Sequence, residues 1–592
     1  MPIPVAPTGE PEIDGILWGW KWDSPHLTVS FPSEIRAYSG YNTVENFSPF
    51  TQIEAEQIFD LVLAHLSTFT GLTFTHDPSD GGDLRFAQAS GIDYGPEHFV
   101  PGLHAPGGIG SAEANPPDPN LIGAHAVGDN WFTTGQYRPS LLGSFHHAAG
   151  LLHEVGHALG LKHGHATQTW SHDASVTLPA LPAEQDSQEF SVMTYRGYVG
   201  GPLNGASGEE EYPWTYMLND MAALQHMYGA NFGGGSNNGD STYRFDPNTG
   251  EMSVDGLGFG APYGAKILLT IWDGGGEDRY DFSNYDQDQS IDLRPGAFST
   301  FSMPQLANLA NGPEEDAKLA RGNVANPYLY QGDLRSLIEH VDTGGGNDTI
   351  AGNQAGNHIR SGAGHDVLWG GDGEDRLIGA SGDDVIDGGT GTDTVNGGDG
   401  NDSLIGGPAD TDLRDIIFGG AGDDRADGGG GNDLIYGQEG HDTLSGGYGS
   451  DELQGQSGND VISGGALSDL IFGGDGADFV NGGFGHDRIN GGNGGDRFFH
   501  LGILDHGSDW VQDFNTAEGD ALFFGSTATS KDFQVNLAHT ATLDGDRAGD
   551  DAAREAFVIY RPTGQIIWAL IDGEAQASIS LQLAGEVFDL LA

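Results

Sequence analysis

The chain has 592 residues, 98 of them Gly, with 86 Asp and Glu against 23 Lys and Arg, a formal net charge of −63 and no Cys. A single hydrophobic core stops growing near about 250–300 residues, so several domains are expected. The charge makes nucleic acid and anionic membrane poor partners, the lack of Cys excludes disulfides and thiolate metal sites, and no apolar run of about eighteen residues announces a membrane span.

The opening MPIPVAPTGEPEIDG has neither the basic nor the apolar segment of a secretory signal. Residues 1–14 therefore read as a leader or removable propeptide, and export needs another address. Residues 15–230 read as a mixed α/β domain. Ala55, Ile58, Val62, Leu66 and Phe69 recur at helical spacing in Thr51 to Phe69, Leu72–Thr75 and Leu84–Ala87 look like strands around the turn PSDGGD, and a second helix is expected from near Ser144 through Leu159.

That second helix carries the chemistry. Residues 151–164 are LLHEVGHALGLKHG, which holds H-E-x-x-H-x-x-G-x-x-H as His153, Glu154, His157, Gly160 and His163. Residues four apart share a helix face, so His153 and His157 can ligate one zinc ion, with Glu154 placed to act on a water rather than on the metal. Gly160 is expected to end the helix in the left-handed conformation, bringing in His163 as third ligand and leaving one position open for catalysis. His146, His147 and His165 read as solvated or supporting histidines.

Residues 231–340 carry short β-like runs such as Lys266–Trp272 between Asp/Gly turns and read as a β-rich bridge. From 341 to 499 the chain repeats every nine residues. Asp348, Asn357, Asp366, Asp375, Asp384, Asp393 and Asp402 keep the interval, an insertion near Pro408 to Thr411 interrupts it, and Asp415, Asp424, Asp433, Asp442, Asp451, Asp460, Asp469, Asp478, Asp487 and Asp496 resume it. Gly-Gly-x-Gly-x typically precedes each one and x-aliphatic-x follows, the pattern of a calcium-binding parallel β-roll. Rows of carboxylates facing one another call for cations, so this segment is expected to fold as calcium binds. Residues 500–592, with FVIYR and IIWALI, read as a β-rich cap.

The extended His motif, SVMTY at 191–195, NDMAALQHMYGAN at 219–231 and the nonapeptide repeats together resemble the serralysin family of metzincin metalloproteases. The resemblance implies an α+β (α/β metzincin-type) catalytic domain followed by an all-β parallel β-roll. It also implies Met193 as a floor under the histidines and Tyr195 as a mobile extra zinc ligand that helps stabilise the oxyanion. Early calcium sites would use Asp273, Gly275, Gly276 and Asp278 of WDGGGED, Glu339, and backbone oxygens of Gly239 and Ser241. The implied activity is secreted, zinc-dependent cleavage of proteins by a monomer with calcium as structural ion, exported by a type I secretion machinery that reads the C-terminal Phe588–Ala592. Two departures bear on specificity: Gly164-His165 follows His163 where Pro is usual, and Arg196 stands where an aromatic is common. A calcium-dependent adhesin with an inactive protease domain is the competing reading.

Overall fold

The computed structural model describes the chain apart from residues 39–40, 42, 94–111, 115–116, 118–126, 134–141, 170–171, 174, 204–210, 234–237, 311–316, 408–412, 505 and 540–552. It forms two compact units, Met1–Tyr285 with Ser290–Ile338, and Asp286–Gln289 with Glu339–Ala592. Most of the interval 231–340 thus folds with the N-terminal unit. The insertion near Pro408 lies outside the described residues.

In the N-terminal unit a five-stranded sheet runs in the order Thr73–His76, His26–Ser30, Leu84–Ala89, Asp129–Thr133, Ala112–Ala114. The first four strands are parallel and the edge strand Ala112–Ala114 is antiparallel to its neighbour. The helix predicted over Thr51 to Phe69 forms in three parts, α Gln52–Ile58, π Phe59–Leu63 and α Ala64–Phe69. It starts where the sequence supplies a capping box: Thr51 Oγ1 accepts from Glu54 N at 3.3 Å while the Glu54 carboxylate accepts from Thr51 N at 2.8 Å. Its apolar stripe, Ile58, Val62, Leu66 and Phe69, is fully buried. The N-terminal residues are woven in, with Pro2–Pro4 pairing antiparallel to Trp20–Trp22 and Trp18 N donating to Gly160 O at 2.8 Å. The second predicted helix comprises a π segment, His146–Leu152, running into α-helix His153–Leu159.

The C-terminal unit is a parallel β-solenoid of about nine turns, as the repeat predicts. Strands of six or so residues alternate between two faces, each pairing in parallel with the strand 18 residues on, as Arg376↔Thr394 and Leu377↔Val395. Across the insertion the step becomes 22 residues, Thr394↔Ile416, and the register is kept. The aliphatic position of each repeat forms the core: Ile350, Leu368, Ile386, Ile417, Ile435 and Ile471 are all fully buried. Beyond the repeats Asp509–Val511 and Ala521–Phe524 continue the two faces, and antiparallel strands including Glu555–Tyr560, Gln565–Leu570 and Ser580–Leu583 close the stack. A stacked rung has no second core to lean on, so one cavity is felt fully. Ile435→Ala is expected to destabilise the calcium-loaded solenoid by about 2–5 kcal/mol, read by denaturant unfolding; a change below about 0.5 kcal/mol contradicts this packing.

Candidate functional site

The helix His153–Leu159 packs against the edge strand Ala112–Ala114 and ends at Gly160, whose φ of 110° and ψ of 17° are left-handed. A Cβ there would stand 2.2 Å from Trp20 O, so glycine is required twice over, by conformation and by space. The turn brings His163 back to the helix. The Nε2 atoms of His153, His157 and His163 then lie 3.1 Å from one another in all three pairings.

His153 donates Nδ1–H to Val192 O at 2.8 Å and His157 donates Nδ1–H to Leu161 O at 2.8 Å. Both Nε2 atoms therefore present lone pairs to each other, an arrangement that favours a cation at the centre. Burial lowers the His153 pKa to about 4, and burial together with the neighbouring imidazoles drives His163 well below the ordinary range, so these two are neutral and ready to ligate at pH 7. Three nitrogens at this spacing accept one ion about 2.0–2.1 Å from each and leave the side away from the protein open. This triad is a candidate metal site.

Glu154 is buried beside His153, and Tyr195, 43 % exposed, places its hydroxyl 2.9 Å from His163 Nε2. His165 stacks on His163 at 5.4 Å between ring centres, while buried His147 bonds through Nε2 to Trp214 O at 2.8 Å. The side chain of His146 lies outside the described residues.

Met193 is fully buried beneath the helix, and a Cβ on Gly156 would meet its sulfur at 2.7 Å. The turn carrying Met193 is held by one carboxylate. Asp220, on the helix Leu218–Tyr228, accepts from Ser191 Oγ at 2.6 Å, Val192 N at 2.7 Å and Met217 N at 3.0 Å. Because Val192 O receives the His153 proton, the same peptide segment links Asp220 to the triad. Burial pushes the Asp220 carboxyl up to about 7 against the pull of its hydrogen bonds. On the other flank Lys162, 1 % exposed, donates to Gly15 O, to Ala166 O at 2.7 Å and to Pro179 O at 2.7 Å, fixing the loop that bears His163. Arg196 turns away from the triad to bond Asp186 Oδ2 at 2.7 Å.

In the solenoid each repeat Asp has one oxygen engaged and one turned to the stack interior. Past the first repeat Oδ1 accepts the N–H of the residue 18 positions back, or 22 across the insertion, as Asp366 N to Asp384 Oδ1 at 2.8 Å and Asp393 N to Asp415 Oδ1 at 2.8 Å. Oδ2 is buried without a hydrogen bond in Asp348, Asp366, Asp375, Asp384, Asp402, Asp424, Asp442, Asp451, Asp460, Asp469, Asp478, Asp487 and Asp496. A Cβ on Gly370 would lie 2.3 Å from both Asp375 Oδ2 and Gly388 O, so glycine keeps open a cradle of carboxylate and carbonyl oxygens. All-oxygen cradles with orphaned carboxylates fit calcium. Asn357, in the Asp register, instead bonds Asn353 N through Oδ1 at 2.7 Å.

The early-site residues also assemble within the N-terminal unit: Ser241 N donates to Asp278 Oδ1 at 2.8 Å, Ser241 Oγ to Gly239 O at 2.9 Å and Gly275 N to Asp273 Oδ1 at 3.1 Å, with Gly276 packed on Gly239. Glu339 opens the other unit, its carbonyl accepting from His358 N at 2.9 Å.

Residues 235–303 match the family model "Peptidase M10 serralysin C terminal", and 342–377, 378–410, 411–444, 436–471 and 463–498 match "RTX calcium-binding nonapeptide repeat (4 copies)". Metallopeptidase AprA of Pseudomonas marginalis is 30 % identical over 347 residues, 56 % of this chain and 61 % of that protein. Serralysin of Proteus mirabilis is 31 % identical over 263 residues, 43 % of this chain and 46 % of the relative, and serralysin C of Dickeya chrysanthemi 37 % over 177 residues, 29 % and 34 %. In these segments the chain is similar to the serralysin family. It spans less than two thirds of the length of these curated relatives.

The structure adds residues the sequence did not single out. Asp520 accepts from Asp496 N at 2.9 Å, and wholly buried Asp509 faces Asp487, so both extend the carboxylate rows past the regular repeats. Gln289 N donates to Asp348 Oδ1 at 2.8 Å, starting one row. The spacings of 22 and 24 residues hide the two late rungs from a nine-residue search, although Asp within Asp-x-aliphatic runs was a usable signal.

Two predictions follow from this geometry. Asp220→Asn removes one acceptor from the Met193 turn and is expected to weaken metal affinity at the triad about tenfold, measured by chelator competition; unchanged affinity in the folded variant contradicts the link to His153. In the calcium-free protein, burial raises Asp348, Asp375, Asp384, Asp424 and Asp469 to about 7 and Asp402, Asp442, Asp451, Asp478 and Asp496 to about 6. Folded pKa values above the unfolded value of about 3.9 mean that the folded state binds more protons, so stability falls as pH rises from about 4 through about 7. In chelator the solenoid should melt at a lower temperature at pH 8 than at pH 5, with calcium rescuing it more at pH 8. The opposite order in chelator would refute this.

Proposed function

We propose that this chain is a secreted zinc-dependent endopeptidase that cleaves extracellular proteins, with calcium driving the folding of its C-terminal unit. The observation that carries the reading is the meeting of three imidazole Nε2 atoms at 3.1 Å beside buried Glu154. His153, His157 and His163 would hold the zinc. Bound there, zinc would supply Lewis acidity, bringing the pKa of water toward about 7 and polarising a peptide carbonyl.

Glu154 takes the proton from the attacking water and delivers it to the departing amine. The Tyr195 hydroxyl, 2.9 Å from His163 Nε2 on a side chain 43 % exposed, would donate a hydrogen bond to the developing oxyanion. Ala112–Ala114, the outer strand of the sheet among the described residues and alongside the helix His153–Leu159, is where an extended peptide would add as a further strand. Met193 and Asp220 keep the floor beneath the histidines rigid.

Gly239, Ser241, Asp273, Gly275, Gly276, Asp278 and Glu339 serve as the early calcium ligands, and the repeat aspartates as the later ones. Export follows the type I route. No helix among the described residues is long and apolar enough to cross a membrane.

Casein hydrolysis in calcium tests the reading. Wild type should cleave, Glu154→Ala should retain metal and fold yet lose about 10²–10⁴-fold in rate, and Tyr195→Phe should lose about 10²-fold in kcat. A zinc-selective chelator should silence the wild type without melting the solenoid. Equal cleavage by wild type and Glu154→Ala would overturn it.

A further inference from the structure

Gly164-His165, the pair that follows His163 where Pro is usual, builds a loop that Pro could not. Gly164 N donates to Met193 O at 3.1 Å and Gly164 O accepts from Leu181 N at 2.7 Å, so both backbone groups of this residue are spent on neighbouring loops. A Pro has no N–H to give to Met193 O, and a Cβ at 164 would stand 2.6 Å from Leu181 Cδ1. The bond to Met193 O staples the histidine loop to the Met193 turn. One residue past the staple on the first loop is His165, and two residues past it on the second is Tyr195.

These two side chains meet. The His165 ring centre lies 5.1 Å from that of Tyr195, with the planes at 32°, and 5.4 Å from that of His163, with the planes at 17°. His163 and Tyr195 are 4.6 Å apart, so the three rings touch one another, and Tyr195 also stacks on His153 at 5.6 Å. His165 is half-buried, and its Nδ1 is buried with no hydrogen-bond partner. The buried edge of this imidazole is therefore held by ring contacts and not by a polar bond. The Tyr195 ring is part-exposed, and fixing such a side chain in one rotamer costs conformational entropy. A second ring packed on its flank offsets that cost.

On the peptidase reading, in which the Tyr195 hydroxyl meets the oxyanion, we propose that His165 is the positioning residue for Tyr195, bracing the phenol against the triad so that its hydroxyl stands beside His163 Nε2; the proposal rests on that reading. The brace needs a flat ring and neither a proton nor a ligand atom from His165. Phe should therefore replace it, since Nδ1 has no hydrogen bond to lose.

The test uses the calcium-loaded full chain, cleared of metal at the triad and given stoichiometric Cu2+, whose bond to a phenolate oxygen gives a visible charge-transfer band. Wild type should show the band and Tyr195→Phe should lack it, which assigns it. His165→Ala should weaken the band about two- to tenfold, the population change that one aromatic pair represents, and His165→Phe should restore it. In casein hydrolysis by the metal-replete proteins His165→Ala should lower kcat by the same factor with KM unchanged, and in a Tyr195→Phe background it should cost nothing further. Circular dichroism in calcium checks that each variant is folded. A band as strong in His165→Ala as in wild type overturns the proposal, as does a wild type with no band. A His165→Phe variant that behaves like His165→Ala overturns it too, and so does a full additional loss in the Tyr195→Phe background. The band needs no turnover, so the two readings fail separately: proteins that keep the band pattern yet cleave nothing support the brace and overturn the peptidase reading.

Discussion

Carboxylates buried in file need cations between them, and the C-terminal half of this protein is built on that constraint. Each repeat Asp spends Oδ1 on the backbone N–H of the neighbouring turn and points Oδ2 into a glycine-lined cradle, as Asp375 does beside Gly370. The geometry that sets the turn therefore also creates the charge problem. A divalent ion with oxygen ligands resolves it, and the aliphatic file of Ile350, Leu368, Ile386 and their successors then supplies the apolar core. Where cation binding supplies the missing ligands, folding and ion uptake become one equilibrium.

The histidine site obeys the same logic on a smaller scale. Lone pairs that face one another at 3.1 Å are assembled by elements that make no contact with a metal: the left-handed turn at Gly160, the carbonyls of Val192 and Leu161, and the carboxylate of Asp220 behind the Met193 turn. Lys162 is a buried ammonium among carbonyls, and it ties the third ligand's loop to the segment around Gly15. His153, His157 and the loop of His163 are each held by hydrogen bonds to backbone, and Tyr195, 43 % exposed, packs on the imidazoles from outside.

What could be read from sequence followed from local periodicity. Four residues between His153 and His157 fix a shared helix face whatever surrounds them, and nine residues between aspartates fix the solenoid and its two faces. The stripe Ile58, Val62, Leu66, Phe69 announced its helix for the same reason. Features set by distant contacts were not legible: the π segments at Phe59–Leu63 and His146–Leu152, the clamp of Asp220 on Val192 from 28 residues away, and the bond from Arg196 to Asp186 that explains its presence in place of an aromatic. Asp509 and Asp520 escaped because irregular loops stretch their intervals while tertiary pairing keeps the rows continuous.

The account rests on cations at two kinds of site, and anomalous X-ray scattering from crystals grown in calcium locates them directly. Data across the zinc edge should give one peak about 2.0–2.1 Å from the Nε2 atoms of His153, His157 and His163. Long-wavelength data should give calcium peaks along both rows, about 2.3–2.6 Å from the Oδ2 atoms of residues such as Asp375, Asp384 and Asp424. Rows of Oδ2 atoms facing only water, or a triad without a metal peak, would contradict it.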